Sequence, residues 1–264
     1  MRILLTGSQG FVGHHLYRYL EKLGHKVYGI DIEDNGYNKR WYEFDLRKEL
    51  TLKSNFDMVF HLASNVGGIK YLEKFGYEII KDNILIDLNV INFAKKHTNK
   101  LIYFSSSCVY DDNYYGKEKL FTENLIKASG IDYLIVRPKN IYGIEDNKTG
   151  LREQVIMALF RKVLSGKKVE LYGDGNELRS FIWVEDLFDL IFKKLRFRNK
   201  IIDAGGEWIS ILQLLRTITI ITEKNIQIEL NKNNEKPKKY IEFKRPKTLL
   251  NKGLRDIYKW IKSQ

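Results

Sequence analysis

The sequence has little cysteine and proline and no long apolar run. It contains one cysteine, Cys108, and three prolines among 264 residues. A single cysteine excludes an internal disulfide, and the opening MRILLTG leads into a turn without the apolar segment of a signal peptide. No apolar stretch reaches membrane-spanning length. We therefore expect a soluble protein of the reducing cytoplasm that has no membrane partner.

Positive charge is in excess, since 45 lysines and arginines stand against 33 acidic residues and give a net charge of +12. Such a surplus is typical of nucleic-acid-binding proteins. The lysines are spread along the whole chain, however, and no basic stretch alternates with aromatic residues as a base-stacking surface requires. A ligand that carries two phosphates would equally favour a positive cleft. We therefore expect no nucleic-acid partner.

The N-terminal segment has the pattern of a dinucleotide-binding site. A short apolar strand at 2–6 is followed by the glycine-rich loop 7–13 and then by an amphipathic helix. In this context the glycines let backbone amides approach a pyrophosphate at the positive end of the helix. The next strand, 26–31, ends in Asp31, which can bind both ribose hydroxyls of NAD and would repel the extra phosphate of NADP. NAD is therefore the expected cofactor.

Strands and helices alternate regularly through the first half of the chain. Apolar runs predict further strands at 41–44, 57–62, 101–105 and 132–137, and helical periodicity predicts helices at 77–96 and 115–128. This alternation predicts an α/β fold with a doubly wound parallel (Rossmann) sheet, whose ligand cleft lies at the carboxyl ends of the strands. We expect the two helices to cover one face of the sheet or to form a dimer interface.

The order of elements becomes irregular after residue 140. Helices are predicted at 151–164, 184–195 and 209–222 and near the C-terminus as far as residue 261, and strands at 169–172, 201–203 and 226–230. We expect residues 1–140, with a return of about 180–205, to form an NAD-binding Rossmann domain. Residues 141–264 are expected to form a small, interleaved C-terminal α/β lobe that binds the substrate.

Tyr115 and Lys119 form a candidate catalytic pair. They are four residues apart, so on a helix they share a face. An ammonium beside a phenol favours the phenolate, which predicts that Tyr115 serves as a base near neutral pH. The hydroxyl of Ser106, at the end of the preceding strand, is placed to hold a substrate oxygen while Tyr115 takes its proton. Tyr114 is an alternative base, but only Tyr115 has a lysine four residues on.

Eight features occur in a fixed order along the chain, namely TGSQGFVG, Asp31, HLAS, SSSCVY, Tyr115-GKE-Lys119, RPKNIYG, GDGNELRSFIWVEDL and DAGG. In this order they resemble the extended short-chain dehydrogenases/reductases that act on nucleotide sugars, the NAD-dependent epimerase/dehydratase family. The segments NVGGI and SSCVY are most similar to the branch of the GDP-fucose synthases and GDP-mannose 3,5-epimerases. The resemblance covers almost the whole chain.

The resemblance implies a cofactor site and a catalytic group, and it implies no metal. The residues implied to contact NAD are Gly7, Gln9, Gly10, Phe11, Val12, Gly13, Asp31, Asp45, Leu46, Leu62, Ala63, Ser64, Asn83, Tyr115 and Lys119. Ser106, Tyr115 and Lys119 are implied to be catalytic, and Ser106, Asn140 and Arg179 to bind the substrate. A nucleotide-diphosphate sugar is thus the expected substrate.

The resemblance also implies a reaction class in carbohydrate biosynthesis. Tyr115 would remove a proton from the hydroxyl at carbon 4 of the hexose while a hydride passes to the nicotinamide. We expect an epimerase that returns this hydride. A 4-keto-6-deoxysugar reductase or a carbon 4 dehydrogenase is an alternative, and a non-catalytic NAD-sensing protein is the alternative of another class. Dehydration and decarboxylation are disfavoured, because Ser107 and Cys108 stand where such enzymes carry acidic residues.

Cys108 has two interpretations. In the GDP-sugar branch the matching cysteine is an acid/base at carbons 3 and 5, together with a second residue that is a histidine in the fucose synthases. At the place of that histidine this chain has Gln154, which cannot exchange protons. The alternative is a small buried thiol at the end of a strand, and it is the favoured one.

The segment between Tyr110 and Tyr115 is short. Four residues lie between them, whereas the resemblance implies a longer lid there. The sugar end of the cleft is therefore expected to be open or to be closed by a partner subunit. We expect the protein to be a homodimer.

Overall fold

Twelve strands and eight helices are found in the part of the chain that the computed structural model describes, which is residues 1–34, 36, 38–145, 153–166, 168–231 and 240–264. The strands are β1 (Arg2–Thr6), β2 (Lys26–Asp31), β3 (Trp41–Glu43), β4 (Met58–His61), β5 (Leu101–Phe104), β6 (Tyr133–Pro138), β7 (Asn140–Tyr142), β8 (Val169–Tyr172), β9 (Leu178–Trp183), β10 (Lys200–Ala204), β11 (Glu207–Ser210) and β12 (Ile228–Asn231). The helices are α1 (Phe11–Lys22), α2 (Ile69–Lys74), α3 (Gly76–His97), α4 (Tyr114–Ala128), α5 (Val155–Leu164), α6 (Val184–Lys194), α7 (Ile211–Thr222) and α8 (Leu250–Ser263). None of these helices is both long enough and apolar enough to cross a membrane.

Seven of the strands form one parallel sheet in the order β10–β6–β5–β4–β1–β2–β3. All of its neighbouring pairs are parallel. The order reverses between β1 and β4, and in such sheets the ligand crevice lies at that point, outside the carboxyl ends of the strands. The prediction of a doubly wound Rossmann sheet is confirmed.

Helices cover both faces of this sheet, which is why its strands are almost continuously apolar. On one face α1 and α6 pack through residues such as Leu20 and Phe188 against Leu5 of β1. On the other face α3 and α4 pack through Val90 and Ile126. The helices that the sequence placed at 77–96 and 115–128 therefore cover one face of the sheet.

A second layer of structure has its own apolar core. It contains the three-stranded sheet β11–β9–β7 and the two-stranded sheet β12–β8. Helices α5, α7 and α8 close this core through side chains such as Phe160, Leu214 and Leu254. In contrast, β10 extends the seven-stranded sheet beside β6. After β6 the chain thus enters the second core. It returns to the seven-stranded sheet with α6 and β10, and it enters the second core again with β11.

Several predicted boundaries differ from the structure. The helix expected at 209–222 begins at Ile211, because Ser210 forms a capping box in which its hydroxyl accepts the N–H of Gln213. Ile209 belongs instead to β11, where it pairs with Arg179 of β9. The helix expected at 151–164 is described from Val155, and residues 151 and 152 lie outside the described residues. The sequence reading also missed β7, β11 and the short α2.

Candidate active site

The glycine loop after β1 turns tightly against two neighbouring segments. Gly7 has a φ of +69°, which favours glycine. A Cβ on Gly7 would lie 2.7 Å from the nitrogen of Ala63, and one on Gly13 would lie 1.9 Å from the carbonyl oxygen of Gly7. The loop therefore needs glycine at both positions. It leads into the first turn of α1, where the amides of Phe11 and Val12 have no intrahelical partner and can bind a phosphate.

Asp31 ends β2 beside this loop. One carboxylate oxygen accepts the N–H of Gln9 at 2.8 Å, and the other accepts the N–H of Ile32 at 2.8 Å. Burial raises the pKa of Asp31, and the hydrogen bonds from these amides oppose that shift. Each carboxylate oxygen can accept more than one hydrogen bond. The position of Asp31 is therefore compatible with binding of ribose hydroxyls.

Two buried hydroxyls lie near the loop and after β4. Within the described part of the chain, the Oγ atoms of Ser8 and Ser64 are buried and have no hydrogen-bond partner. The amides of Leu62 and Ala63 are bound by the hydroxyl of Thr6 at 3.3 and 3.2 Å. Buried polar groups are normally hydrogen-bonded, so a ligand that hydrogen-bonds to Oγ of Ser64 would remove the cost of burying this hydroxyl without a partner. Together with the tight glycine contacts, this arrangement fits a dinucleotide.

Three other residues expected at the cofactor have protein partners or are buried. The hydrogen bond and ion pair with Arg47, at 2.9 Å, lower the pKa of Asp45. Leu46 lies in the apolar core under the sheet. Asn83 is fully buried, and its Oδ1 accepts the N–H of Asn65 at 2.7 Å. The contacts of Asp45, Leu46 and Asn83 with NAD stay predictions.

A cleft lies at the carboxyl ends of β5 and β6. Its lining includes four of the predicted residues, Ser106, Cys108, Asn140 and Arg179, together with Ser107, Asp111, Pro138, Lys139, Ser180 and Trp208. The structure therefore brings the predicted substrate residues to one place. Asp111, Lys139 and Trp208 were not predicted from the sequence. The available signal was adjacency, because each follows or lies within one of the quoted motifs.

The cleft residues are held by hydrogen bonds to their surroundings. Ser106 caps a 3₁₀ turn, and its Oγ accepts the N–H of Cys108 at 3.1 Å. The side-chain amide of Asn140 donates to the carbonyl of Ser180 at 3.0 Å. Arg179 pairs with Glu177 at 2.8 Å. A guanidinium has five donors, so an arginine can bind a carboxylate and a phosphate together.

Gln154 is not in the lining of the cleft that contains Cys108. It lines a different cavity, together with Met157 and Phe181. The two cavities are neighbours, since both are lined by Asn140. The amide of Gln154 has no proton to exchange near neutral pH. Both interpretations of Cys108 stay predictions.

Tyr115 lies in the first turn of α4, directly beside the turn that carries Cys108. Asn113 caps the helix, since its side-chain oxygen accepts the N–H of Gly116 at 2.7 Å. A Cβ on Gly116 would lie 1.9 Å from the carbonyl oxygen of Cys108. The start of α4 and the Cys108 turn are thus in backbone contact. This contact fixes Tyr115 relative to Ser106.

Lys119 lies on the same side of α4 as Tyr115, as predicted. Its Nζ is 5.7 Å from the centroid of the Tyr115 ring. Burial raises the pKa of Tyr115 to about 12, and Lys119 opposes that shift. The loss of hydration is the larger of these two effects, and the role of Tyr115 as a base near neutral pH stays a prediction.

Lys119 is itself 1% exposed and has partners that the sequence reading missed. Its Nζ donates to the hydroxyl of Tyr103 at 3.0 Å and lies 3.8 Å from Oδ2 of Asp87. Tyr103 was read only as part of an apolar strand, and Asp87 as part of an amphipathic helix. A charged residue at a helix position that faces the sheet was the signal available for Asp87.

Comparisons with known proteins identify the family of this chain. The model of the NAD dependent epimerase/dehydratase family matches residues 3–205. GDP-mannose 3,5-epimerase 1 from Oryza sativa subsp. indica is 28% identical over 312 aligned positions, which cover 100% of this chain and 82% of that protein. A putative UDP-glucose 4-epimerase from Methanocaldococcus jannaschii is 27% identical over 309 aligned positions, which cover 99% of this chain and 98% of that protein.

Among solved structures, the UDP-glucose 4-epimerase from Thermotoga maritima, crystallised with UDP-glucose, superposes with a TM-score of 0.87. The match covers 100% of this chain and 99% of that one, at 21% identity. At this identity the likeness supports the fold alone.

Proposed function

The chain belongs to the NAD-dependent epimerase/dehydratase family, and from this premise we propose that it is a nucleotide-sugar epimerase that acts by transient oxidation at carbon 4 of the hexose. It is an enzyme of the class of NAD-dependent nucleotide-sugar epimerases, decarboxylases and reductases. One observation carries the finer proposal. The backbone contact between Gly116 and Cys108 joins the Tyr115–Lys119 pair to the cleft that holds Ser106, Asn140 and Arg179.

The cofactor is NAD, the cofactor of the family. We assign its pyrophosphate to the loop 7–13, its ribose to Asp31, and its nicotinamide end to the region of Ser64 and Tyr115. The tight contacts of Gly7 and the buried hydroxyl of Ser64 support this assignment. When bound, NAD accepts a hydride from the sugar and returns it.

The residues of the chain bind the sugar and move its proton. Ser106 holds the oxygen at carbon 4, and the phenolate of Tyr115 takes the proton from that hydroxyl as the carbon is oxidised to a ketone. Lys119 stabilises the phenolate. Tyr115 gives the proton back after the keto sugar has turned over, so the epimer forms with no net change in the enzyme.

The substrate is a nucleotide-diphosphate sugar. Arg179 and Lys139 supply positive charge at the cleft, and Asn140 supplies an amide. We propose that Arg179 binds a phosphate of the substrate, as a guanidinium is suited to do. Epimerisation at carbons 3 and 5 is less favoured, because Cys108 has no proton-exchanging residue at the position of Gln154.

We also propose a homodimer in the cytoplasm. Four large apolar side chains are exposed on the two helices of one face, Leu85 and Leu88 on α3 and Leu120 and Phe121 on α4. Such a patch on adjacent helices is typical of an interface. The single cysteine favours a reducing compartment.

Turnover of a panel of GDP-, UDP-, dTDP- and CDP-sugars tests the proposal. An epimerase forms the epimer with no net change in the absorbance of the nicotinamide, whereas a reductase consumes NADH or NADPH and a dehydrogenase forms NADH. Thermal shift with NAD selects the sugars, because a ligand of the native state raises its melting temperature.

Replacement of the base provides the matched control. Tyr115→Phe is expected to remove turnover and to leave NAD binding nearly unchanged. Tyr114→Phe changes the neighbouring tyrosine, which is 74% exposed, and is expected to keep full activity. Turnover by the Tyr115→Phe variant at the wild-type rate would show that the base is assigned wrongly.

A further inference from the structure

A carboxylate lies buried next to the catalytic lysine. Asp87 of α3 and Lys119 of α4 are each 1% exposed, and Oδ2 of Asp87 lies 3.8 Å from Nζ of Lys119. The hydroxyl of Tyr103 bridges them, because it accepts from Lys119 at 3.0 Å and donates to Oδ2 of Asp87 at 3.0 Å. The lysine ammonium thus has a buried counter-charge and one fixed acceptor.

Asp87 also has hydrogen-bond partners on α4 and β4. Thr122 donates to Oδ2 at 2.7 Å, and Nε2 of His61 lies 2.9 Å from Oδ1. The hydroxyl of Thr6 accepts two backbone amides, so it donates its own proton to Nδ1 of His61 at 2.7 Å. This assigns the proton of a neutral His61 to Nε2, where it faces Asp87. The network is directional and satisfies Asp87 as an anion.

A second carboxylate, that of Glu118, lies 3.7 Å from Nζ of Lys119. Burial raises the pKa of Glu118 to about 7, so this group is partly neutral near neutral pH. Burial also acts against the charge of Asp87, but Lys119 and the hydrogen bond of His61 outweigh it and lower the pKa of Asp87. Asp87 is therefore the constant counter-charge of Lys119.

The proposed function needs Lys119 charged and in place beneath Tyr115. A buried ammonium without a counter-charge loses its proton readily. We propose that Asp87 is a positioning residue, whose carboxylate and bridging Tyr103 hydroxyl hold Lys119 in place beside Tyr115 and keep it protonated. This inference rests on the proposed function, since it assigns Asp87 to the same reaction.

The charge of Asp87 also affects the pH range of activity. The titrating groups that face Asp87, Lys119 and Tyr115 are His61, Tyr103, Glu118 and Cys108. Loss of the negative charge of Asp87 lowers the pKa of Tyr115 and the pKa of Lys119. The pH profile of kcat has an acid limb set by Tyr115 and an alkaline limb set by Lys119. Asp87→Asn is therefore expected to move both limbs to lower pH. At the 3.8 Å between Oδ2 of Asp87 and Nζ of Lys119, Coulomb's law with an effective dielectric constant of about 20 gives a shift of the alkaline limb of about three pH units.

The pH profile of kcat tests this inference. Asp87→Asn is compared with Thr122→Val, which removes a hydrogen bond from the same carboxylate and leaves every charge in place. We expect both limbs to shift for Asp87→Asn and neither to shift for Thr122→Val. A role of Asp87 that is only structural would lower kcat or stability and leave the limbs unmoved, and this outcome would overturn the proposal.

Two further measurements keep the test decisive. If Asp87→Asn does not fold, Tyr103→Phe removes the bridging hydroxyl with little change in volume. It is expected to lower kcat about tenfold with unchanged affinity for NAD, and a wild-type kcat and profile would refute the role. The pKa of Tyr115, measured from its phenolate absorbance by subtraction of the Tyr115→Phe spectrum, is expected to fall in Asp87→Asn. That measurement needs no turnover, so it separates failure of this inference from failure of the proposed function.

Discussion

Gly116 allows a sharp test of the link between the two halves of the candidate site. It follows Tyr115 in α4, and a Cβ there would lie 1.9 Å from the carbonyl oxygen and 2.6 Å from the carbonyl carbon of Cys108. An ordinary contact between carbon and a carbonyl oxygen is about 3.3 Å, so Gly116→Ala forces the start of α4 and the Cys108 turn apart by about 1.4 Å. Both obstructing atoms belong to the backbone, so no side-chain rotation relieves the clash.

The expected consequences of Gly116→Ala differ between stability and rate. Overpacking of this kind lowers the free energy of unfolding by about 1–3 kcal/mol. A displacement of about 1 Å between Tyr115 and Ser106 lowers kcat about a hundredfold. Affinity for NAD should change little, because the loop 7–13 is not part of this contact. Urea unfolding, steady-state kinetics and NAD titration measure the three quantities.

Gly76→Ala is the matched control for Gly116→Ala. Gly76 is also a glycine near the start of a helix, α3, and a Cβ there would meet nothing within 4 Å. Alanine at a compatible helix position is expected to keep or slightly raise stability, by less than about 1 kcal/mol, and to keep kcat. If Gly116→Ala shows the stability and kcat of the wild type, the backbone contact does not position Tyr115 and the reasoning fails.

Three other perturbations test the substrate cleft, the exposed helix face and a buried histidine. Arg179→Ala should raise KM for the nucleotide sugar at least about tenfold, as loss of a charge-assisted hydrogen bond does, and leave the affinity for NAD unchanged in titrations. Phe121→Lys should convert a dimer to a monomer in analytical ultracentrifugation, whereas Ile220→Lys, at a site on α7 that is 73% exposed, should not. Burial lowers the pKa of His14 to about 4, so the unfolded chain binds a proton first as the pH falls. The free energy of unfolding should therefore decrease between about pH 6.5 and 4, by no more than about 3 kcal/mol, and His14→Gln should flatten this decrease in urea titrations.

The first half of the fold was predictable because its signals are local. A buried strand, the loop 7–13 and an amphipathic helix follow one another without interruption, and the acid of Asp31 ends the next strand. The i, i+4 spacing of Tyr115 and Lys119 placed them correctly on one side of α4. Each of these features depends on neighbours within one or two turns of chain, which is the range that sequence periodicity describes.

The second layer and the cleft depend on contacts between distant segments. Strand β11 exists because Ile209 pairs with Arg179 of β9, which lies far away in sequence. The local signal there, the capping box of Ser210 and Gln213, marks the start of the helix and does not indicate a strand before it. Trp208 lies close to the DAGG motif in sequence, but it reaches the cleft beside Lys139 only after the chain has returned through β10. The motif residues of the cleft were therefore predictable from the sequence, and the neighbours that the fold brings beside them were not.

The pKa of Tyr115 shows why the site cannot be read from spacing alone. The spacing of Lys119 predicts stabilisation of the phenolate, and it ignores the hydration that Tyr115 loses on burial, which raises its pKa to about 12. The same burial would also discharge Lys119 if no carboxylate accompanied it. Asp87 meets this second requirement, but its negative charge opposes the first. The geometry of the site meets both requirements. Nζ of Lys119 lies 5.7 Å from the centroid of the Tyr115 ring. The Tyr103 hydroxyl accepts a hydrogen bond from Nζ of Lys119 and donates one to Asp87. Asp87 thus raises the pKa of Lys119 and keeps it positively charged, and the charge of Lys119 lowers the pKa of Tyr115.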